Sequence, residues 1–133
     1  MSPSVTDAPA EFSQRGPVEI AAFLDGKAQE LHALQAQLEK AHNEAENAEI
    51  KWMAHFDKVM DALEIELEEE GAGGKLPGEE KCVGIARRRE GWEAWSTWRR
   101  AERRVKKLEK LATLIDNQIS ACQSEGKLLR AVA

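Results

Sequence analysis

The sequence predicts an all-α fold: an antiparallel two-helix coiled-coil hairpin, assembling into a dimer or a four-helix arrangement. Three observations carry this expectation. From Gly91 to Leu129, steps of three and four alternate without a slip through Gly91, Ala94, Trp98, Ala101, Val105, Leu108, Ala112, Ile115, Ile119, Cys122, Gly126 and Leu129. Every member is apolar or glycine, and that period keeps one narrow seam facing a partner helix. An earlier stripe of matching length supplies the partner, and one glycine-rich break separates the two.

The first element, residues 1–17, is rich in Ser, Pro, Ala and Thr and ends in Gly16-Pro17, which reads as a disordered tail. A long acidic helix follows over 18–70. Its stripe is Leu24, Leu31, Leu34, Leu38, Ala41, Ala45, Ala48, Trp52 and Val59, with Lys27 and His55 interrupting the register. From Trp52 a second row opens one position over, through Met53, Phe56, Met60, Leu63 and Leu67, so the apolar face widens toward the C-terminal end. A glycine-rich loop over 71–78, beginning Gly71-Ala72-Gly73-Gly74, supplies the positive φ angles of a helix exit. Glu79 and Glu80 then suit the positive end of a second, basic helix over 79–130. Folding about residue 74 places Trp52 near Trp95 and Trp98. A two-helix hairpin buries only one side of each helix, which predicts self-association or a partner protein.

Composition fits long helices with a thin seam: 32% charged residues, 5% aromatic and no tyrosine in 133 residues. The net charge of −5 hides a division. Residues 18–70 carry fourteen acids and four bases, whereas 79–133 carry thirteen bases and eight acids, and opposite signs favour pairing within one chain. No apolar run approaches the roughly 18 residues that span a bilayer, and Met1-Ser2-Pro3-Ser4 has no signal-peptide character. The expectation is therefore no membrane association and a place in the cytoplasm. Cys82 and Cys122, forty residues apart on a continuous helix, would lie about 60 Å from each other, which excludes an intrachain disulfide.

Catalytic chemistry finds no support. Gly71-Ala72-Gly73-Gly74-Lys75 resembles a phosphate-binding loop only superficially: Glu69 stands where its first glycine belongs and Leu76 where a magnesium-binding hydroxyl belongs. His32, His42 and His55 lack the four-residue spacing of a helical metal site. The acidic run from Glu64 to Glu70 fans around the helix axis and reads as a solvated end. No serine or cysteine stands beside a histidine in a hydrolase pattern. The expectation is a protein with no enzymatic activity, no metal and no cofactor.

Two surfaces are candidate sites. Outer heptad positions hold Arg99, Arg100, Arg103, Lys106, Lys107 and Lys110, and Arg87, Arg88 and Arg89 precede them, a cationic ribbon suited to a nucleic-acid backbone, against the plainer reading of a solvated coiled-coil face. Met53, Phe56, Met60, Leu63, Trp92 and Trp95 form the widened apolar end, read as the interface with a second copy or partner. The tryptophans at 92, 95 and 98 read first as core or interface and second as stacking platforms for bases.

Trp52-Met53, the linker Gly78-Glu79-Glu80-Lys81 leading to Ala86, and the ending from Gln118 to Arg130 together resemble a family of small helical-hairpin proteins of tailed bacteriophages, encoded near recombination and single-strand-binding genes. The resemblance covers roughly the last two-thirds of the chain. It departs at Gly71-Ala72-Gly73-Gly74 and at the tryptophan cluster. It implies a phage origin and a place in phage DNA recombination or replication by association, and it carries no functional residues with it. The alternatives are an inhibitor or modulator of a host protein, or a structural or assembly role.

Overall fold

The computed structural model describes residues 16–71 and 73–132. The predicted tail lies outside them apart from its last two residues. Among the described residues the chain is helical, with no strand: α1 spans Pro17–Glu69, α2 Glu79–Ala86 and α3 Trp92–Val132. A widened five-residue turn, Arg87–Gly91, joins α2 to α3.

Local chemistry sets the boundaries. Pro17 opens α1, where its fixed φ and missing N–H cost nothing. Glu19 reaches back so that the Gly16 N–H donates to its Oε2 at 2.7 Å, half of a capping box. At the other end the Gly71 N–H donates to the Glu68 carbonyl at 3.0 Å, and Gly71 takes a φ of 81°. That left-handed residue is the stop the glycine run predicts. α2 starts after Gly78, with Glu79 and Glu80 in its first turn.

The described chain divides into two compact units, Glu39–Lys106 and a second made of residues up to Leu38 with those from Lys107. In Glu39–Lys106 the helical segments run antiparallel, because Trp52 meets Trp98 while Glu66, further along α1, meets Arg89, further back. Its core is Trp52, Val59, Met60, Leu63, Cys82 and Ala86, with Phe56, Leu67, Val83, Ile85, Trp95 and Trp98 packed around it. In the other unit, Pro17, Ile20, Ala21 and Leu24 line one depression with Gly126, Leu129 and Arg130, which is again an antiparallel arrangement. There Leu34, Leu108 and Cys122 are buried, Cys122 at 0% exposure.

The seams hold. From Leu24 to Val59 the positions of the α1 stripe are buried or half-buried, including Lys27 and His55, and the Gly91–Leu129 stripe behaves likewise until its last member. The correction concerns the second helix. It is not continuous from 79 to 130: Arg89 (φ −91°, ψ 64°) and Glu90 (φ 63°, ψ 21°) leave helical geometry. The spacing of its buried residues explains why. Cys82 and Ala86 are four apart, but Ala86 and Gly91 are five apart, and all three are buried. Five residues is not a helical repeat, so a straight helix would turn one of them outward. The widened turn absorbs the extra residue and keeps both faces on α1. The helix-continuity argument about the cysteines therefore lapses; both are buried free thiols.

Candidate functional site

The widened turn is held from α1 at two points. His55, the residue that interrupts the α1 stripe, sends its Nε2–H to the carbonyl oxygen of Ala86 at 3.0 Å. That carbonyl belongs to a residue with 0% exposure, and a buried acceptor left unpaired is costly. The bond also assigns the ring proton to Nε2. Gly91 packs so tightly here that a Cβ would strike both the Ala86 carbonyl and the His55 ring.

On the outer side, Arg89 forms a bidentate pair with Glu66, Nη1 to Oε2 at 2.7 Å and Nη2 to Oε1 at 3.1 Å. These hydrogen bonds hold the Glu66 carboxyl below its ordinary pKa and raise that of Arg89. Fork-to-carboxylate geometry of this kind fixes orientation as well as charge.

The turn separates the three tryptophans into different roles. Trp98 stacks on buried Trp52, with centroids 6.5 Å apart and planes within 11°. Trp95 is half-buried, with the Arg87 guanidinium 4.6 Å from its ring centre. Trp92 leans on Trp95 at 5.3 Å and is 61% exposed. Beside it Arg88 lies across Gly84, where an added Cβ would sit 3.3 Å from Nη1. Gly84, Arg87, Arg88 and Trp92 line one shallow depression.

The six residues expected at an interface differ in burial. Met60 and Leu63 are buried within the chain, and Phe56 and Trp95 pack against the same core. α2 contributes Cys82 and Ala86 to the same core as Met60 and Leu63 of the second row of α1. Met53, at 44%, and Trp92 are the two that remain exposed.

All six members of the predicted cationic ribbon are exposed. Arg99, Arg100, Arg103 and Lys106 lie in the Glu39–Lys106 unit, Lys107 and Lys110 in the other. Arg99 pairs with Glu102 at 2.8 Å and rests 5.4 Å from the Trp98 ring centre. Sequence reasoning missed His55 as a member of a built site, and it placed Arg87 and Arg88 at the start of the cationic ribbon rather than on a turn. The signal was the five-residue step between Ala86 and Gly91, together with a histidine in a seam position.

Among the described residues no group of three or more His, Cys, Asp or Glu could hold a metal ion, and no helix is long and apolar enough to cross a membrane. No protein-family model matches the chain, nor does any curated protein or solved structure.

Proposed function

We propose that the chain is a non-enzymatic interaction protein, an accessory to DNA recombination or replication in a tailed phage, acting through the Trp92 surface. The observation that supports this reading most is the 61% exposure of Trp92 on a braced turn. A large apolar ring costs solvation when left in water, and tryptophan and arginine dominate the centres of binding surfaces. Here Arg87, Arg88 and Trp92 sit together, while the turn beneath is tied by His55 and Arg89. Preorganised anchors bind with little ordering cost. The phage setting rests on the resemblance in Trp52-Met53, the Gly78–Lys81 linker and the Gln118–Arg130 ending.

The test is comparative capture from infected cells with tagged wild-type chain and Trp92→Ala. A defined partner recovered by the first and lost by the second supports the reading. Recovery of the same proteins by both overturns it. Recombination genes as neighbours favour the accessory role, host-takeover genes a modulator and virion genes an assembly protein.

A second reading, homo-oligomerisation into a dimer or four-helix arrangement, draws on Ile50 and Met53, both exposed and three residues apart on α1. Light scattering of Ile50→Glu with Met53→Glu tests it. A mass that falls to that of one chain supports self-association through α1, and an unchanged mass rejects it.

A further inference from the structure

We infer that the depression beside Trp92 is a binding site for single-stranded nucleic acid, in which one base stacks on the Trp92 ring while Arg87 and Arg88 take the flanking phosphates. This rests on the reading of the Trp92 surface as the chain's contact surface and names what it contacts. A nucleotide offers a flat π-face beside an anion, and the site offers an aromatic ring beside two cations. The indole of Trp92 is open to solvent and backed by Trp95. Two guanidiniums line the same depression, and among the described residues neither has a carboxylate within ion-pair distance. The third arginine of the run, Arg89, is already bound to Glu66.

The nearby acids do not spoil the match. Glu90 and Glu93 line a different depression, with Ala48, Lys51, Ala94 and Thr97. Over residues 87–110 the chain carries ten bases and four acids, a local net of +6 in a protein of net −5. Stacking requires a base whose face is free, and in a duplex both faces are covered by neighbours, so the patch selects single strands or ends. An acidic peptide would satisfy the arginines but has no flat ring at every repeat for Trp92.

The test uses the full chain and a fluorescein-labelled oligothymidylate of about fifteen nucleotides, read by anisotropy at about 20 mM salt. Wild type binds. Trp92→Ala weakens binding about five- to 150-fold, the ratio carried by one lost stacked base, while Trp92→Phe retains most of it. Arg87→Gln with Arg88→Gln lowers the slope of log affinity against log salt by about 1.4, for two phosphates on a single strand. Circular dichroism confirms that each variant stays helical; Trp92 is exposed, so its removal leaves no cavity.

Absence of binding by wild type at low salt overturns the inference. So does binding that survives Trp92→Ala but is lost in Arg103→Gln with Lys106→Gln, which would move the site to the outer ribbon. Preference for a labelled oligoglutamate peptide over the oligonucleotide also overturns it, in favour of an acidic protein. In each of these cases the capture experiment judges the interaction reading separately, because it scores loss of a protein partner rather than of nucleic acid.

Discussion

His55 donates from Nε2 to the carbonyl oxygen of Ala86 at 3.0 Å, binding α1 to the last residue of α2. One polar residue in an apolar seam thus answers one buried carbonyl at the point where the second helix breaks. His55→Ala removes one hydrogen bond to that buried carbonyl, at a cost of about 0.5–1.5 kcal/mol. His55→Gln keeps an amide donor and loses less. Urea unfolding of the two variants checks this. Equal losses would assign the effect to ring packing against Trp52, which lies 6.1 Å away, and not to the hydrogen bond.

Two glycines respond in opposite directions. A Cβ at Gly91 collides with the Ala86 carbonyl and the His55 ring, whereas one at Gly26, inside α1, meets nothing within 4 Å. Gly91→Ala therefore destabilises by about 1–3 kcal/mol through overpacking. Gly26→Ala stabilises by about 0.5–1 kcal/mol, because alanine loses less backbone freedom in a helix. Thermal melts of both variants read the two signs. A neutral Gly91→Ala would show that the turn can relax.

The seams were legible because a 4-3 period is a local property: Trp52, Val59, Val105, Leu108 and Cys122 are all buried as the stripes require. The helix ends were legible at Pro17 and Gly71, where single residues carry the geometry. The break at Arg87–Gly91 was not. Arg-Arg-Arg-Glu is good helical sequence, and the turn is imposed by tertiary packing, which must bury Ala86 and Gly91 five residues apart on one helix. α2 shares a core with Met60 and Leu63, so the widened row that reads as an interface is partly core. Which tryptophan is exposed depends on that turn, and no periodicity in the sequence encodes it.

Glu90 sits at φ 63° among the described non-glycine residues, the one with a positive value. A side chain in the left-handed region costs about 1–2 kcal/mol. Glu90→Gly removes that strain but gives back about 0.5–1 kcal/mol in unfolded-chain entropy, leaving a net gain of up to about 1 kcal/mol. Glu90→Val, β-branched at the same φ, loses stability. Denaturation midpoints order the three chains as Gly above Glu above Val. If Glu90→Gly is less stable than wild type, the carboxylate makes a contribution that outweighs the strain.

The pair of Glu66 and Arg89 predicts a pH dependence with a definite sign. Hydrogen bonds from Arg89 lower the folded pKa of Glu66. Its stabilising contribution is thus present above the unfolded value, about 4.3, and is lost as pH falls through the lower folded value. Arg89 stays charged throughout, since its own shift is upward. A double-mutant cycle of Glu66→Gln and Arg89→Gln, run at about pH 7 and again at about pH 2.5, gives a favourable coupling in the first and a smaller one in the second. Coupling undiminished in acid would mean the two side chains interact by packing rather than charge.

The antiparallel pairing in the unit that holds both ends of the helical region can be trapped covalently. A Cβ built at Gly126 lies 3.7 Å from Ile20 Cγ2, so the two positions face each other in contact, and a modest backbone shift brings their Cβ atoms to the separation of about 3.5–4.5 Å in a disulfide. With Cys82 and Cys122 replaced by alanine, Ile20→Cys with Gly126→Cys should oxidise within one chain. The bridge closes a loop of over a hundred residues, so it constrains the unfolded state strongly and stabilises by up to about 4–5 kcal/mol where geometry is unstrained. Non-reducing electrophoresis separates the outcomes. A compact monomer that resists urea supports pairing within the chain. Dimers linked only between chains, at the same protein concentration, would mean that α1 of one copy pairs with α3 of another.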